Sequence, residues 1–295
     1  IPAAEAAGAM AALGLMIHPL RDLSGVWDRW RAWTTARDKC VALLAEPVIE
    51  RQLLAQEQQP LSPPALRLSG AGGQALAGQD LEVQPGQKVA IVGANGAGKS
   101  SLLRLAAGLE AGPGRVWLDG TDPRNLDAPA RRRSIALMSM RSPILAGSLR
   151  RALTMGAAQR RSDAEIAAQA QAFGLAAVLQ RLGGLDGLLA EGGRNLSAGE
   201  ARRVLLTRVA LSGARLLLLD EPDDTLDPEG VELVARFLRE TPATVLVVTH
   251  GLALARRMDS LWFVDQGCVV EAGATEAVLL GEGPTARHFR PRAAA

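Results

Sequence analysis

Near-continuous runs of apolar residues mark the strands of this chain. The strings "KVAIVG" (88–93), "RLLLLDEP" (215–222) and "ATVLVVTH" (243–250) are apolar along most of their length. Strands that are buried on both faces have this pattern, which is typical of a parallel sheet covered by helices. A later stretch, "VDQGCVVEAG" (264–273), predicts a hairpin.

Helical signals fill the intervals between these strands. A helix is predicted from the end of the first strand to about Ala107. Residues 145–212 are rich in Ala and Leu, and Ser162 with Glu165 forms a capping-box signature. Asp227, followed by proline, predicts the start of another helix. The order βα, helical insert, βαβαβ predicts an α/β core with a helical subdomain.

The first apolar run lies at the start of the chain and is too short to cross a membrane. Residues 6–17 are uncharged, and their number falls short of the about 20 that a spanning helix needs. No basic segment precedes them, which argues against a signal peptide. Two interpretations stay open: a core-packing helix, or the cytosolic end of a membrane helix whose start is missing. The first residue, Ile1, indicates a fragment or a processed product.

A tryptophan-rich extension follows this run. Trp27, Trp30 and Trp33 recur among Arg and Asp, and the last two fall near one helical face. The stripe predicts a helix that faces a core, with an amphipathic helix at a membrane surface as the alternative. The polar, proline-rich stretch 56–64 predicts a linker. The predicted organisation begins with an N-terminal helical part (1–58) and a linker (59–64). A main domain (65–285) follows, with a helical subdomain at about 141–212, and the chain ends in a tail (286–295).

Composition excludes several classes of protein. Hydrophobic residues make up 48% of the 295 residues, so a disordered chain is not expected. Lys and Arg number 33 against 31 Asp and Glu, which argues against a broad nucleic-acid-binding surface. Cys40 and Cys268 are far apart, which predicts no disulfide or zinc site and fits a reducing compartment.

The string "GANGAGKSS" (93–101) has the spacing of a phosphate-binding loop, between an apolar strand and a predicted helix. Its glycines let backbone N–H groups approach phosphates. Lys99 offers a compact positive charge, and the hydroxyl of Ser100 suits Mg²⁺, which prefers oxygen ligands. The predicted nucleotide contacts are Gly93, Asn95, Gly96, Ala97, Gly98, Lys99, Ser100 and Ser101.

Two acidic residues end a buried strand that is expected beside this loop. Asp220 is predicted to hold Mg²⁺, and Glu221 to orient or deprotonate a water molecule. The string "NLSAGEARRVLLTRVAL" (195–211) predicts a helix that starts at Ser197, with Gly199 in its first turn. That helix start is either a second phosphate-binding device or an ordinary cap, and the residues alone leave both open.

Together with His250, these motifs resemble the ATP-binding cassette (ABC) ATPases over roughly residues 65–285. "LSAGE" (196–200) is similar to the family's signature, "DTLD" (224–227) to its D-loop, and "VTH" to the strand end with its switch histidine. The resemblance implies an α/β P-loop NTPase fold, with a RecA-like core, a helical subdomain and an antiparallel β subdomain.

The resemblance also implies roles for these residues. A homo- or heterodimer with a second ABC cassette is expected to close two ATP molecules between the cassettes, so that the signature of one covers the phosphate loop of the other. The implied roles are Ser197, Gly199 and Asp227 as nucleotide contacts, Glu221 as general base, His250 as a γ-phosphate contact, and Ser100 and Asp220 as Mg²⁺ ligands.

Two features resemble exporters in particular. Glu191 lies shortly before the signature, where exporter cassettes contact their membrane domains, and residues 1–58 are similar to the cytosolic end of the last membrane helix in fused exporters. We therefore expect the C-terminal part of such a transporter, at the cytoplasmic face of a membrane, with no nucleic-acid partner. The alternatives are a soluble ABC ATPase that acts on nucleic acid or ribosomes, and a degenerate regulatory cassette that binds ATP with little hydrolysis.

Two departures from the family pattern bear on turnover and on base recognition. Met140 stands where the family places a glutamine, and a thioether cannot replace an amide toward Mg²⁺ or water. Residues 65–74, where an aromatic side chain usually stacks on adenine, contain none. Adenine binding is therefore expected to depend more heavily on the phosphate contacts.

Overall fold

A computed structural model describes residues 2–45, 65–73 and 75–290. The predicted linker 59–64 lies outside the described residues, as does the last part of the predicted tail. The chain divides into two units, Ile1–Glu50 and Arg51–Ala295.

In chain order the helices are α1 (Ala3–Ala45), α2 (Lys99–Ala106), α3 (Ala128–Ser134), α4 (Leu149–Thr154), α5 (Asp163–Ala172), α6 (Ala176–Leu182), α7 (Ala198–Ser212), α8 (Pro228–Glu240), α9 (Leu252–Ala255), α10 (Thr275–Leu280) and α11 (Pro284–Phe289). The strands are β1 (Leu66–Gly73), β2 (Leu76–Val83), β3 (Lys88–Gly93), β4 (Arg115–Leu118), β5 (Ile135–Met138), β6 (Gly147–Ser148), β7 (Leu188–Leu189), β8 (Leu216–Asp220), β9 (Thr244–Val248), β10 (Ser260–Asp265) and β11 (Cys268–Ala274).

The first unit contains one long helix, α1, whose tryptophans are exposed. The side chains of Trp27, Trp30 and Trp33 are each more than half exposed, and the rings of Trp30 and Trp33 are 5.3 Å apart. The prediction that this stripe faces a core is therefore wrong for the described residues. Within the part of the chain that the structure describes, no helix combines the length and apolar character needed to cross a membrane.

The second unit is built on a six-stranded sheet in the order β11-β10-β3-β9-β8-β5. The pairs from β10 to β5 are parallel, and β11 pairs with β10 as an antiparallel hairpin. Every residue of β3, β8 and β9 is buried, as their continuous apolar sequences require. The predicted strands and the late hairpin are thus confirmed.

Alternate residues of β3 face two different cores. Val89 and Ile91 pack in a cluster with α2 and the antiparallel sheet β2-β1-β4. Ala90 and Val92 pack in a second cluster with α7, α8 and α9 on the other face. Both faces of the central sheet are therefore covered, and the expected antiparallel β subdomain is present.

A third core lies inside the helical part of the second unit. It is formed by apolar residues of α4, α5, α6 and the outer face of α7, beside the short hairpin β6-β7. The predicted capping box of α5 is present, since Ser162 accepts from the Glu165 amide and the Glu165 carboxylate accepts from the Ser162 amide. Helix α7 belongs to this core and also to the core of the central sheet, so it connects the two regions.

Candidate nucleotide site

The phosphate loop joins β3 to α2 at the carboxyl edge of the central sheet. Gly98 caps α2 with a φ of 104°, a conformation that favours glycine. A Cβ atom at Gly98 would lie 2.7 Å from the carbonyl oxygen of Ala75, and one at Gly267 would lie 2.6 Å from the same atom. The Gly267 amide also donates to the carbonyl of Ala97 at 2.9 Å. Three loops therefore meet here backbone to backbone.

Lys99 shapes this loop from within. Its Nζ donates to the carbonyl oxygens of Gly93 at 2.9 Å and Ala94 at 2.8 Å, and the residue is buried. Burial lowers the pKa of the Lys99 ammonium, while the carboxylates of Glu221 and Asp220 act against that shift. An ammonium has three N–H donors, so two hold the loop and the third can be directed to a ligand.

Asp220 and Ser100 form a set of oxygen atoms that fits a divalent cation. Asp220 is 5% exposed, and its Oδ1 is buried with no hydrogen-bond partner among the described residues. Burial raises the pKa of Asp220, the neighbouring charge of Glu221 raises it further, and hydrogen bonding by the Ser100 hydroxyl lowers it. A hard cation such as Mg²⁺ would satisfy this oxygen and favour the charged carboxylate, so the two residues present fit the ion.

Glu221 and His250 face each other across the ends of neighbouring strands. The Nε2 of His250 lies 3.3 Å from Oε1 of Glu221. The Glu221 backbone has a φ of 52°, a left-handed conformation that is unusual for a residue other than glycine, and its amide donates to the carbonyl of Val248 at 2.9 Å. Both side chains are partly exposed, at 30% and 40%, so they are accessible to substrate and water.

A second hydrogen bond ties these two strand ends together. The Thr249 hydroxyl, next to His250, donates to Oδ2 of Asp223 at 2.6 Å and accepts from the amide of Gly251 at 2.9 Å. Burial raises the pKa of Asp223, and the bond from Thr249 acts against that shift. The loop that carries Glu221 is thereby held beside the loop that carries His250.

The start of α7 is a complete capping box. Ser197 accepts from the Glu200 amide at 3.1 Å, and the Glu200 carboxylate accepts from the Ser197 amide at 2.9 Å. Arg181 of α6 donates two 2.8 Å hydrogen bonds to the same carboxylate. These bonds from Arg181, aided by those at Ser197, hold the pKa of Glu200 at about 2. The predicted cap is confirmed, and it uses the serine hydroxyl within its own helix.

The next turn of α7 contacts the loop that follows β8. Arg202 Nη2 lies 3.3 Å from both Met140 Sδ and Asp224 Oδ2. Arg203 Nη2 donates to Asp227 Oδ1 at 2.7 Å, and the same carboxylate oxygen accepts from the amide of residue 230 at 3.0 Å. Asp227 therefore caps α8 as its sequence predicts.

The predicted site residues fall into two groups. Lys99, Ser100, Asp220, Glu221 and His250 come together at the carboxyl ends of β3, β8 and β9. Ser101 is buried, and its hydroxyl accepts from Arg104. The second group, Ser197, Gly199 and Asp227, lies along α7 and the loop after β8. Among the described residues, no hydrogen bond or ion pair joins the second group to the phosphate loop.

The sequence places Asp224 in the D-loop motif but gives no signal that it pairs with Arg202. Arg202 is one of three arginines in α7, and its pairing depends on tertiary packing. Met140 follows the end of β5 by two residues and is 59% exposed.

Comparisons with known proteins identify the family of the chain. The model of the family described as ABC transporter matches residues 76–224. A beta-(1→2)glucan export ATP-binding/permease protein of Mesorhizobium japonicum is 35% identical over 225 residues, which are 74% of this chain and 38% of that protein. A mycobactin import ATP-binding/permease protein of Mycolicibacterium thermoresistibile is 35% identical over 75% of this chain and 38% of its own length.

A solved structure gives the same result at the level of the fold. The structure of a bacterial Atm1-family ABC exporter with ATP bound matches with a TM-score of 0.76 and 27% identity, over 85% of this chain and 46% of that one. This chain spans about two fifths of the length of the curated relatives that it matches. Its α/β unit has the ABC ATPase fold, and the chain belongs to the ABC transporter family.

Proposed function

We propose that this chain is the ATP-hydrolysing part of an ABC exporter. The observation that carries the proposal is the convergence of Lys99, Asp220, Glu221 and His250 at one edge of the sheet, with Ser100 directly beside Asp220. Phosphoryl transfer to water requires four parts: a phosphate cradle, a cation-binding carboxylate, a base and a second polar group.

Binding of ATP is assigned to the loop and its lysine. The N–H groups at the start of α2, from Gly98 to Ser101, would face the phosphates, with Asn95, Gly96 and Ala97 in the loop before them. Lys99 would direct its third N–H to the β- and γ-phosphates while it still holds the carbonyls of Gly93 and Ala94. Ser100 and Asp220 would hold Mg²⁺, which would neutralise part of the phosphate charge.

Glu221 is assigned as the base. Its carboxylate accepts a proton from a water molecule, the water oxygen bonds to the γ-phosphorus, and the bond to the bridging oxygen breaks so that ADP leaves with that electron pair. The 3.3 Å contact with His250 keeps the Glu221 carboxylate on the side of His250. The left-handed backbone of Glu221 directs its side chain toward the same side. His250 can donate to the γ-phosphate from the same position.

A second copy is expected to complete each site. The start of α7 presents backbone N–H groups and a positive dipole end, and the contacts of Ser197 lie within its own capping box. We assign Ser197 and Gly199 to the phosphates held by a partner copy, and Asp227 to the loop that borders this interface. Two ATP molecules would then lie between two cassettes.

Transport is supported by the relatives and by α1. The two relatives described above are named as ATP-binding/permease proteins. The apolar side chains of α1 are exposed in the described residues, as expected for a helix that packs on other membrane helices, and Glu191 lies in the segment expected to face the membrane domain. We therefore place this chain at the cytoplasmic face of a membrane, with residues 1–58 as the end of a membrane domain and 65–285 as the ATPase.

The direction of transport rests on the structural match. The solved structure is an exporter. It matches 85% of this chain, which is more residues than the range 65–290 contains. The mycobactin relative is named for import, so an import function is the second candidate. We expect no nucleic-acid partner, because the charge is nearly balanced.

Mixing two inactive variants tests the proposal. Lys99→Ala and Ser197→Arg should each abolish phosphate release from Mg-ATP, since each removes one half of both sites. A one-to-one mixture should recover up to about a quarter of the wild-type rate, because half of the random dimers are mixed and each has one intact site.

The matched control is Lys99→Ala mixed with the Lys99→Ala/Ser197→Arg double variant, in which no dimer has an intact site. A wild-type chain without phosphate release would contradict the enzyme assignment. Release without recovery in the mixture, with mixed dimers verified by tags, would contradict only the shared site.

A further inference from the structure

We infer that Arg202 is a positioning residue for Glu221, acting through Asp224 and the loop that follows β8. The inference rests on the proposed hydrolysis of ATP. We define the base loop as residues 221–227, which begins at Glu221 and ends at Asp227, the cap of α8.

The guanidinium of Arg202 is a nearly buried charge between two loops. Its side chain is 8% exposed, whereas that of Asp224 is 47% exposed. One nitrogen, Nη2, lies 3.3 Å from Met140 Sδ, in the segment after β5, and 3.3 Å from Asp224 Oδ2, in the middle of the base loop. Helix α7 therefore contacts both loops that border the γ-phosphate site through a single side chain.

The base loop transmits this contact to Glu221. The Asp224 amide donates to the Glu221 carbonyl at 3.2 Å, so the two residues are joined by one turn. Glu221 has a left-handed backbone, which persists only when its surroundings hold it. Arg203 holds the far end of the loop at Asp227, and the Glu221 amide holds the near end on Val248. Between these two ends the loop is held by Thr249 at Asp223 and by Arg202 at Asp224.

The burial of the two partners predicts an asymmetry between their substitutions. Removal of Arg202 leaves Asp224 as a half-exposed carboxylate that water can solvate. Loss of the Asp224 charge leaves a buried guanidinium beside a thioether, which is only a weak acceptor. Arg202→Met should therefore change the position of the base loop with little loss of folding, while Asp224→Ala should destabilise the chain more.

The contacts also separate the chemical step from ATP binding. Among the described residues, no hydrogen bond or ion pair joins Arg202 to the phosphate loop or to Asp220, so Lys99, Ser100 and Asp220 keep their contacts when it is removed. The change falls on the base loop and on the segment of Met140. A residue of this kind lowers kcat and leaves KM almost unchanged, because it acts on the transition state.

The kinetic test compares Arg202→Met with Arg202→Lys in the full chain. Arg202→Met should lower kcat for ATP by about tenfold with KM within about twofold. Arg202→Lys should recover part of the rate, because an ammonium still pairs with Asp224 as a point charge. The matched control is Arg257→Met, which removes a 3.1 Å ion pair with Glu232 away from the site. A kcat within twofold of wild type for Arg202→Met would overturn the inference.

A second variant keeps the test independent of the folding of the first. Asp224→Asn preserves the shape and an acceptor oxygen, and should lower kcat by a smaller factor. The double variant Arg202→Met/Asp224→Asn should be no slower than Arg202→Met alone, because both changes break one contact. Factors that multiply in the double variant would contradict a shared path.

Hydrogen exchange separates failure of this inference from failure of the proposed function. In Arg202→Met, amides of the base loop, such as those of Asp224 and Leu226, should exchange faster, while those of 93–101 and of β9 stay unchanged. If the wild-type chain releases no phosphate but the base loop responds in this way, the enzyme assignment fails and the positioning contact stands. Unchanged exchange in the base loop would overturn the contact whatever the activity.

Discussion

The Nε2 of His250 and the Oε1 of Glu221 are 3.3 Å apart, although 28 residues separate them along the chain. The pair forms because β8 and β9 are adjacent and parallel, and Asp220 pairs in register with Val248. The residues that follow these two strand ends are therefore brought to the same edge of the sheet. The contact restricts the orientation of a carboxylate whose side chain is 30% exposed.

The variant Glu221→Gln should bind ATP and fail to hydrolyse it. An amide keeps the size of the carboxylate and can still contact His250, but it cannot accept a proton from water at neutral pH. Phosphate release should fall by at least about 100-fold. Addition of Mg-ATP should then accumulate a dimer visible by size-exclusion chromatography, with Lys99→Ala as the control that forms none. Phosphate release at the wild-type rate would contradict the role of Glu221.

The affinities for ATP and GTP should differ by less than about fivefold. Base stacking on an aromatic ring contributes roughly 1–3 kcal/mol, and its loss weakens affinity by about 5- to 150-fold. Competition binding measures the ratio. Trp117→Leu tests whether Trp117 supplies a stacking ring, because Trp117 lies on β4, which pairs with β1. The centre of its ring is 5.9 Å from the guanidinium carbon of Arg67. A large preference for ATP that Trp117→Leu leaves intact would show that another group recognises adenine.

Met140→Gln should raise the rate of ATP hydrolysis by up to about tenfold, which corresponds to roughly 1.4 kcal/mol of the barrier. The amide adds a donor and a hard acceptor beside the γ-phosphate site. Arg202 limits the gain, since its Nη2 already lies 3.3 Å from the sulfur and would bond to the new carbonyl oxygen. Steady-state phosphate release at saturating Mg-ATP measures the effect, and Met140→Leu, which adds no amide, should not give it. A lower rate for Met140→Gln would contradict the expectation.

Glu200 should stabilise the fold in a pH-dependent way. Its pKa is lowered from 4.5 to about 2, so its contribution is complete above about pH 4.5 and is lost as the pH falls toward about 2. Glu200→Gln keeps the capping box but loses the charge that pairs with Arg181, and should reduce the free energy of unfolding by about 1–2 kcal/mol near neutral pH. Glu200→Ala should cost about 1 kcal/mol more, because the box is lost as well.

Urea denaturation at several pH values measures both differences. The difference between wild type and Glu200→Gln should shrink as the pH is lowered, because protonation removes the charge from the wild-type side chain too. A difference that stays constant between about pH 6 and about pH 3 would contradict the assigned pKa.

Sequence patterns were sufficient for the elements that depend on local or strongly periodic signals. The continuous apolar strands, the Ser162 and Ser197 caps and the Asp227 cap are all where the sequence predicts them. The phosphate loop is equally local, because its glycines and Lys99 act within nine residues. These features are encoded by neighbours in the chain, so no knowledge of the fold is needed.

Other features depend on contacts that no short stretch contains. The pairing of Arg202 with Asp224 requires α7 to lie against the base loop, and no periodic pattern reports that. The stripe of Trp30 and Trp33 has the spacing of a core-facing helix, yet both side chains are exposed. A helical apolar stripe indicates burial in general, and cannot distinguish a core within the chain from a surface that another domain covers.

The meeting of Ala75, Gly98 and Gly267 has a consequence for how this protein can evolve. At this point the three loops approach through backbone atoms, with the Leu76 side chain also close to Gly98, and a methyl group at either glycine would overlap the carbonyl oxygen of Ala75. No substitution there can tune the site gradually, since even the smallest side chain forces the loops apart. Adaptation to a different nucleotide or turnover rate must therefore arise in the surrounding side chains, such as those at positions 117, 140 and 202.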